Sequence, residues 1–141
     1  MIKTAREIND FMPGAVTREI EEKCRGMKNP TIAILGLSYK PDIDDLRESP
    51  AIDVVKKLIT DSSLNIIIVE PHIGELPDSL KALPGLKLTN DPASAIEEAD
   101  VIALLVAHWQ FYGMSKKAIE EKRDRIIDAT GIWHDILKPG C

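Results

Sequence analysis

The chain of 141 residues has the length of one domain, and its 44% hydrophobic and 29% charged residues are typical of a globular protein. A formal net charge of −5 argues against nucleic-acid binding, which needs a basic surface to neutralise phosphates. The two cysteines and three histidines lack metal-binding spacing, and no apolar run could span a membrane, so we expect a metal-free, cytoplasmic protein.

The N-terminal part of the chain has the apolar spacing of amphipathic helices over residues 2–12 and 15–25. Pro13 is expected to interrupt this pair, because proline removes a backbone donor. The region precedes the first predicted strand and has no partner strand, so we interpret it as a helical lead-in from another domain. Further along, basic residues at 116–117 and 122–125 alternate with glutamates and predict a solvated helix surface.

From residue 31 onwards, short apolar runs alternate with helical patterns. The runs predict strands at 31–36, 65–70, 86–89, 100–106 and 125–128. One helix is predicted to begin at Ser49-Pro50. A second is predicted over 92–99 with Asp91 as its cap, and a third over 110–122. With right-handed crossovers, this alternation predicts a Rossmann-like, doubly wound α/β fold whose parallel sheet has the strand order 3-2-1-4-5.

The long loop after the first strand, residues 37–49, is the first candidate site. Ligands of such sheets bind beyond the carboxyl ends of the strands where the strand order reverses, which here falls between strands 1 and 4. The loop is about twice as long as the ~6 residues that such a connection usually reaches. Its Lys40 could meet a phosphate or a sugar hydroxyl. Equally, Lys40 and Arg47 could pair with acidic residues of the same loop at the surface.

Polar residues also follow the ends of the other strands. His108 follows strand 4 and could bind a ligand, although capping or packing against the next helix is favoured. Asp128 and Thr130 follow strand 5 and are candidate ligand contacts. Glu70 ends strand 2, where NAD-binding domains keep a ribose-binding acid. Because only one of the three fingerprint glycines is present, a turn at Glu70 is favoured, and NAD is not expected along this domain's first turn. His72 is expected to be exposed.

The loop after the first strand also carries a recognisable motif. Residues 36–50 read G-L-S-Y-K-P-D-I-D-D-L-R-E-S-P, which closely resembles the G-L-x-[FY]-K-P-x-x-D-D-x-R-x-S-P signature of the UDP-glucose/GDP-mannose dehydrogenase family. The string A-R-E-I-N-D at 5–10 resembles the end of that family's central helical domain, and V-E-P at 69–71 also fits. The resemblance covers nearly the whole chain.

The resemblance implies a domain of a larger enzyme. In this family, an N-terminal domain holds NAD, a central helical domain forms the dimer, and a C-terminal domain holds the nucleotide sugar. The sugar C6 alcohol is oxidised to a carboxylate in two NAD-dependent steps through a cysteine-bound thiohemiacetal and thioester. Residues 1–28 would end the central domain, and residues 29–141 would form the sugar-nucleotide domain. The glycine fingerprint and the G-G-x-C segment are lacking, so we expect this chain alone to be inactive, and the complete enzyme to be a homodimer.

The resemblance also implies roles for individual residues. Tyr39 and Lys40 match the pair that contacts the substrate, and a lysine suits a UDP-sugar because its ammonium offers charge and three donors. Arg47 matches an arginine that reaches NAD, and its forked guanidinium suits phosphate recognition. Thr130 stands where UDP-glucose members carry a substrate-binding arginine. The string D-A-T-G-I-W from Asp128 is more similar to the UDP-N-acetylmannosamine dehydrogenase branch.

Two classes of function are therefore compatible with the sequence. The first is the substrate domain of a UDP-N-acetylmannosamine-type 6-dehydrogenase in surface polysaccharide synthesis, with UDP-glucose or another nucleotide sugar as the alternative substrate. The second is a stand-alone, non-catalytic module that binds nucleotide sugars. A phospho-receiver domain is excluded, because its central strand would end in aspartate where this chain has Gly36.

Overall fold

The computed structural model describes residues 13–38, 49–60, 64–81, 83 and 85–137, apart from the side chain of Asp135. The helices are α1 (Pro13–Cys24), α2 (Pro50–Leu58), α3 (Asp78–Lys81), α4 (Pro92–Glu98), α5 (Trp109–Tyr112), α6 (Lys116–Glu121) and α7 (His134–Leu137). The strands are β1 (Thr31–Leu35), β2 (Asn65–Val69), β3 (Leu86–Thr89), β4 (Val101–Leu104) and β5 (Ile126–Asp128). A 3₁₀ turn, Arg123–Arg125, leads into β5. Among the described helices, none is long and apolar enough to cross a membrane.

The five strands form one parallel sheet in the order β3-β2-β1-β4-β5, which confirms the predicted topology. The central strand β1 pairs with β2 on one side and β4 on the other, and Leu35 lies opposite both Val69 and Leu104. The carboxyl ends of these three strands are therefore level. They reach a common edge at the point where the strand order reverses, as expected for a ligand site in this architecture.

Helices cover both faces of the sheet, because alternate residues of each strand point to opposite sides. Ile32 and Ile34 of β1 belong to a core cluster that includes Val16 and Ile20 of α1 together with the apolar side of α2. Ala33 and Leu35 belong to the cluster on the other face, which includes residues of α4 and α6. Burial on both faces explains why β1, β2 and β4 lie in apolar runs of the sequence.

The predicted helix caps are confirmed, whereas one predicted helix is wrong. The Ser49 hydroxyl accepts a hydrogen bond from the Ala51 amide, and the Asp91 carboxylate accepts one from the Ser94 amide. The predicted helix at 110–122 is instead divided into α5 and α6. Gly113 ends α5, and the Ser115 hydroxyl caps α6 by accepting from the Ala118 amide. Helices α3 and α7 were not predicted, and the predicted helix at 2–12 lies outside the described residues.

Lys122 is not part of a solvated helix surface, contrary to the prediction for residues 122–125. Its Nζ donates hydrogen bonds to the carbonyls of Ile96 (2.7 Å), Glu97 (2.9 Å) and Ala99 (2.5 Å). These carbonyls lie at the carboxyl end of α4, where the helix has no backbone partners for them and where a cation is favourable. Lys122 therefore caps α4 from outside that helix.

Replacing Lys122 by methionine is expected to lower the free energy of unfolding by about 1–2 kcal/mol, because it removes the cation and leaves carbonyls unsatisfied. Urea unfolding followed by circular dichroism measures the change. Lys117→Met is the matched control, since Lys117 is an exposed residue of α6. Equal stability of the two variants would contradict the capping role.

Candidate functional site

The carboxyl edge of the sheet is unusually tight where β1 ends. Gly36 has a φ of 98°, and a Cβ placed on it would lie 2.5 Å from Val106 Cβ and 2.8 Å from the Val106 amide nitrogen. The Gly36 amide donates to the Val69 carbonyl, while the Leu105 and Val106 amides donate to the Leu35 carbonyl. Only glycine therefore allows the chain leaving β1 to pass so close to the chain leaving β4.

A buried carboxylate joins the ends of these strands. Glu70, immediately after β2, has no exposed surface. Its Oε1 accepts hydrogen bonds from the amides of Leu37 (2.7 Å) and Ser38 (3.0 Å), and lies 2.9 Å from His108 Nε2. Its Oε2 accepts from the His72 amide at 3.1 Å. The carboxylate thus connects the chain after β1, β2 and β4 at a single point.

His108, also fully buried, faces Glu70 from the end of β4. Because an ionised carboxylate only accepts hydrogen bonds, His108 Nε2 carries the hydrogen of this contact. The Ser38 hydroxyl lies 3.3 Å from the same nitrogen. The His108 ring centroid is 4.5 Å from that of His72 and 5.7 Å from that of Phe111. The imidazole is therefore held both by its polar partners and by packed rings.

The surroundings of Glu70 favour its ionised form. Burial would raise the pKa of this carboxyl, but the hydrogen bond from His108, the amides of Leu37 and His72, and attraction to His108 together lower the pKa below its ordinary value. Glu70 is consequently an anion at neutral pH. An anion surrounded by donors is a stable anchor, since each donor gains a charge-assisted hydrogen bond.

A second set of hydrogen bonds closes the base of the loop that carries the signature motif. The Ser49 hydroxyl donates to the Leu37 carbonyl at 2.6 Å while capping α2. Residues 37–38 and Ser49 are therefore tied together, although ten residues of chain separate Ser38 from Ser49. Both ends of the loop leave from one fixed place at the carboxyl edge of the sheet.

The turn after β5 is organised by Asp128. Its Oδ1 accepts from the amides of Thr130 (2.9 Å) and Gly131 (2.8 Å) and from the Thr130 hydroxyl (2.7 Å), while Oδ2 accepts from the Trp133 amide (2.9 Å). Gly131 has a φ of 85°, which favours glycine. The buried Trp133 donates from its indole nitrogen to the Phe111 carbonyl at 2.9 Å. The D-A-T-G-I-W string therefore encodes a defined turn.

The structure describes some of the residues proposed from the sequence but not others. Tyr39, Lys40 and Arg47 lie outside the described residues. His108 lies at the expected edge but is buried against Glu70, and its side chain makes no capping hydrogen bond to α5. Thr130 lies in the turn after β5, with its hydroxyl bonded to Asp128. Direct contact of His108 or Thr130 with a substrate stays a prediction.

Sequence reasoning missed how Glu70 is used. It favoured a simple turn at this residue, and the Glu70 contact with the His72 amide does form part of such a turn. The larger part of its hydrogen bonding, however, reaches the residues after β1 and β4. The available signal was the presence of polar residues directly after three strands whose carboxyl ends must meet in a parallel sheet. His72 was expected to be exposed, but it is half-buried.

Glu70, His72 and His108 are also close enough to be considered as metal ligands. One potential ligand atom from each lies within 4.8 Å of the others. However, Glu70 Oε1 already has two backbone donors and His108 Nε2 around it. A cation would have to displace His108, whose nitrogen carries a hydrogen towards the carboxylate. The donor set therefore fits a hydrogen-bonded anion better than a metal centre.

The fold and the position of the motif agree with comparisons to known proteins. Residues 33–135 match the sequence model of the UDP-glucose/GDP-mannose dehydrogenase family, UDP binding domain. This chain belongs to that family. The matched range contains the loop after β1, Glu70, His108 and the turn after β5.

Individual relatives match most of this chain, and the match covers only part of each relative. It is 45% identical over 127 residues to UDP-N-acetyl-D-mannosamine dehydrogenase of Campylobacter jejuni, a match covering 90% of this chain and 29% of that protein. It is 41% identical over 133 residues to NDP-N-acetyl-D-galactosaminuronic acid dehydrogenase of Ralstonia nicotianae, covering 94% and 30%. The native structure of the UDP-N-acetyl-mannosamine dehydrogenase Cap5O from Staphylococcus aureus superimposes with a TM-score of 0.68 at 28% identity, covering 93% of this chain and 30% of that one. The chain thus spans about three tenths of the length of these relatives.

Proposed function

We propose that this chain binds the nucleotide sugar in an NAD-dependent UDP-sugar 6-dehydrogenase. The main observation that supports the proposal is the position of the signature motif in the fold. The motif begins at Gly36, where β1 ends, and finishes at the start of α2, so that both of its described ends lie at the sheet edge where the strand order reverses. Membership of the UDP binding domain family supports the nucleotide part of the ligand.

Binding and oxidation are assigned to different parts of the protein. Tyr39 and Lys40 are proposed to contact the UDP-sugar, with the Lys40 ammonium supplying charge and donors to phosphate or sugar oxygens. Arg47 is proposed to reach NAD held by a separate domain. NAD bound in that domain would supply the hydride acceptor for each oxidation step. The contribution of this chain is to hold the sugar nucleotide in place, in a cytoplasmic enzyme that forms a homodimer through a region including residues 1–28.

The sugar is proposed to be of the N-acetylmannosamine type, within the synthesis of surface polysaccharide. The support is the turn after β5, where Thr130 stands in place of an arginine and Asp128 organises the D-A-T-G-I-W string. The names of two relatives, a UDP-N-acetyl-D-mannosamine dehydrogenase and an NDP-N-acetyl-D-galactosaminuronic acid dehydrogenase, also refer to N-acetylated sugars. NAD reduction by the complete protein with a panel of UDP-sugars identifies the substrate.

The Lys40→Ala variant tests the proposed binding. It is expected to weaken UDP binding by about tenfold, because a charge-assisted contact to phosphate contributes roughly 1.5 kcal/mol or more. Isothermal titration calorimetry of the 141-residue chain with UDP measures the change. Lys57→Ala is the matched control, because Lys57 is an exposed residue of α2. No detectable UDP binding by the parent chain, or equal affinity of the two variants, would count against the proposal.

A further inference from the structure

We propose that Glu70 is a positioning residue for the sugar-nucleotide site, which fixes the base of the loop between β1 and α2 against the ends of β2 and β4. The inference rests on the proposed function, because it concerns how that loop is presented to UDP. Glu70 itself is fully buried and is not assigned a contact with the ligand.

The first support is the way in which Glu70 holds two consecutive amides. The amides of Leu37 and Ser38 both point at Glu70 Oε1, at 2.7 and 3.0 Å. Since each backbone donor fixes the orientation of its peptide plane, two successive donors fix the direction in which the chain leaves β1. Lys40 lies only two residues further along the sequence, at most about 7 Å of extended chain from Ser38. We therefore expect a change in the direction of the chain at Ser38 to affect the ligand contact proposed for Lys40.

The second support comes from the other end of the loop. Ser49 donates from its hydroxyl to the Leu37 carbonyl, so the last residue before α2 is tied to the residue that Glu70 holds. Without the Glu70 contact, the two ends would remain joined to each other but would lose their side-chain anchor to β2. The carboxylate therefore sets the position of both described ends of the loop relative to the sheet.

His108 fixes the orientation of the carboxylate. Its Nε2 lies 2.9 Å from the same oxygen that accepts from Leu37 and Ser38, while the other oxygen accepts from the His72 amide. Both oxygens of Glu70 are needed as acceptors. Glutamine has a single acceptor oxygen, so Glu70→Gln places an NH₂ group against one of these donors and cannot satisfy them all.

The test compares Glu70→Gln with Asp100→Asn in the 141-residue chain. Asp100 Oδ2 accepts from the Thr31 amide at 2.9 Å, and so also joins β4 to β1, but at the amino edge of the sheet. Glu70→Gln is expected to weaken UDP binding by about tenfold, as misplacement of a binding group does, while Asp100→Asn retains the parent affinity. Hydrogen exchange measured by NMR is expected to become faster at the Leu37 and Ser38 amides in Glu70→Gln only.

A second variant keeps the inference testable if Glu70→Gln does not fold. Ser49→Ala removes the tie between the two ends of the loop and leaves the Glu70–His108 contact in place. It is expected to weaken UDP binding by about threefold or more, since the loop becomes less preorganised. Parent affinity in a folded Ser49→Ala, or parent affinity or unchanged amide exchange in a folded Glu70→Gln, would overturn the positioning role while leaving the proposed function standing. If the parent chain does not bind UDP, both the positioning role and the proposed function are contradicted.

Discussion

Replacing Gly36 by alanine is expected to lower the free energy of unfolding by about 3–5 kcal/mol, a large part of the stability of a single domain. Two costs combine at this position. The φ of 98° is unfavourable for any residue with a Cβ, and the new Cβ would lie 2.5 Å from Val106 Cβ. The neighbour is also approached at its backbone nitrogen, which cannot rotate away as a flexible side chain would.

Gly131→Ala separates these two costs. Gly131 has a similar φ of 85°, but apart from its chain neighbours no atom of the described residues lies within 4 Å of a Cβ placed there. This variant is therefore expected to lose only about 1–2 kcal/mol, the cost of the left-handed backbone conformation. Chemical unfolding of both variants, followed by circular dichroism, measures the difference. Equal losses would contradict the close approach of the chain at Gly36 to the end of β4.

The fold was largely predictable because burial on both faces leaves a simple pattern. Strands β1, β2, β4 and β5 lie in short apolar runs that end at a polar residue or glycine, and the caps at Ser49 and Asp91 define where two helices begin. The division of the helix after β4 was harder to foresee. Gly113 and Ser115 are the residues that end α5 and cap α6, yet the residues around them keep a helical apolar spacing. Local capping residues therefore determine where these helices begin and end, which the apolar periodicity alone does not specify.

The position of the candidate site in the fold was predictable from the sequence, but the side-chain contacts within it were not. Strand order alone indicated the edge at which the ends of β1 and β4 meet, and the long loop after β1 marked it as functional. Which side chains meet there depends on the register of three parallel strands, and this register places Glu70 beside Leu37 and His108. A single sequence does not specify such registers to one residue. Lys122 was misinterpreted for a related reason, since its partners belong to a helix 23–26 residues earlier in the chain.

Replacing His108 by leucine is expected to lower the free energy of unfolding by about 3 kcal/mol near neutral pH, since it leaves the buried Glu70 anion without one of its hydrogen-bond donors. Leucine retains most of the volume packed between His72 and Phe111. It cannot donate to Glu70 Oε1, which then keeps the Leu37 and Ser38 amides as its donors among the described residues. Chemical unfolding at pH 7 measures the loss. Phe111→Leu tests the packing alone, because it leaves the pair intact.

The pH dependence of the His108→Leu effect distinguishes a lost hydrogen bond to the Glu70 anion from lost packing. In the parent chain the pKa of Glu70 is lowered, so ionised Glu70 contributes stability above its unfolded pKa of about 4.3. That contribution is lost as the pH falls through the lower folded value. Without His108, burial acts against fewer compensating contacts and the pKa of Glu70 rises. The parent and the variant should therefore differ most near neutral pH, and the difference should shrink as the pH falls through the raised folded pKa of Glu70 in the variant and then through its lowered folded pKa in the parent.

The charge of Glu70 is the reason for the expected loss, and a double variant tests this directly. Glu70→Gln in the His108→Leu background removes the uncompensated anion, so its added cost should be smaller than the cost of Glu70→Gln in the parent chain. A coupling of about 1–2 kcal/mol between the two substitutions is expected for groups in direct contact. His72, whose ring lies 4.5 Å from that of His108, is present in all four proteins. Strictly additive costs at pH 7 would show that the two side chains contribute to stability independently.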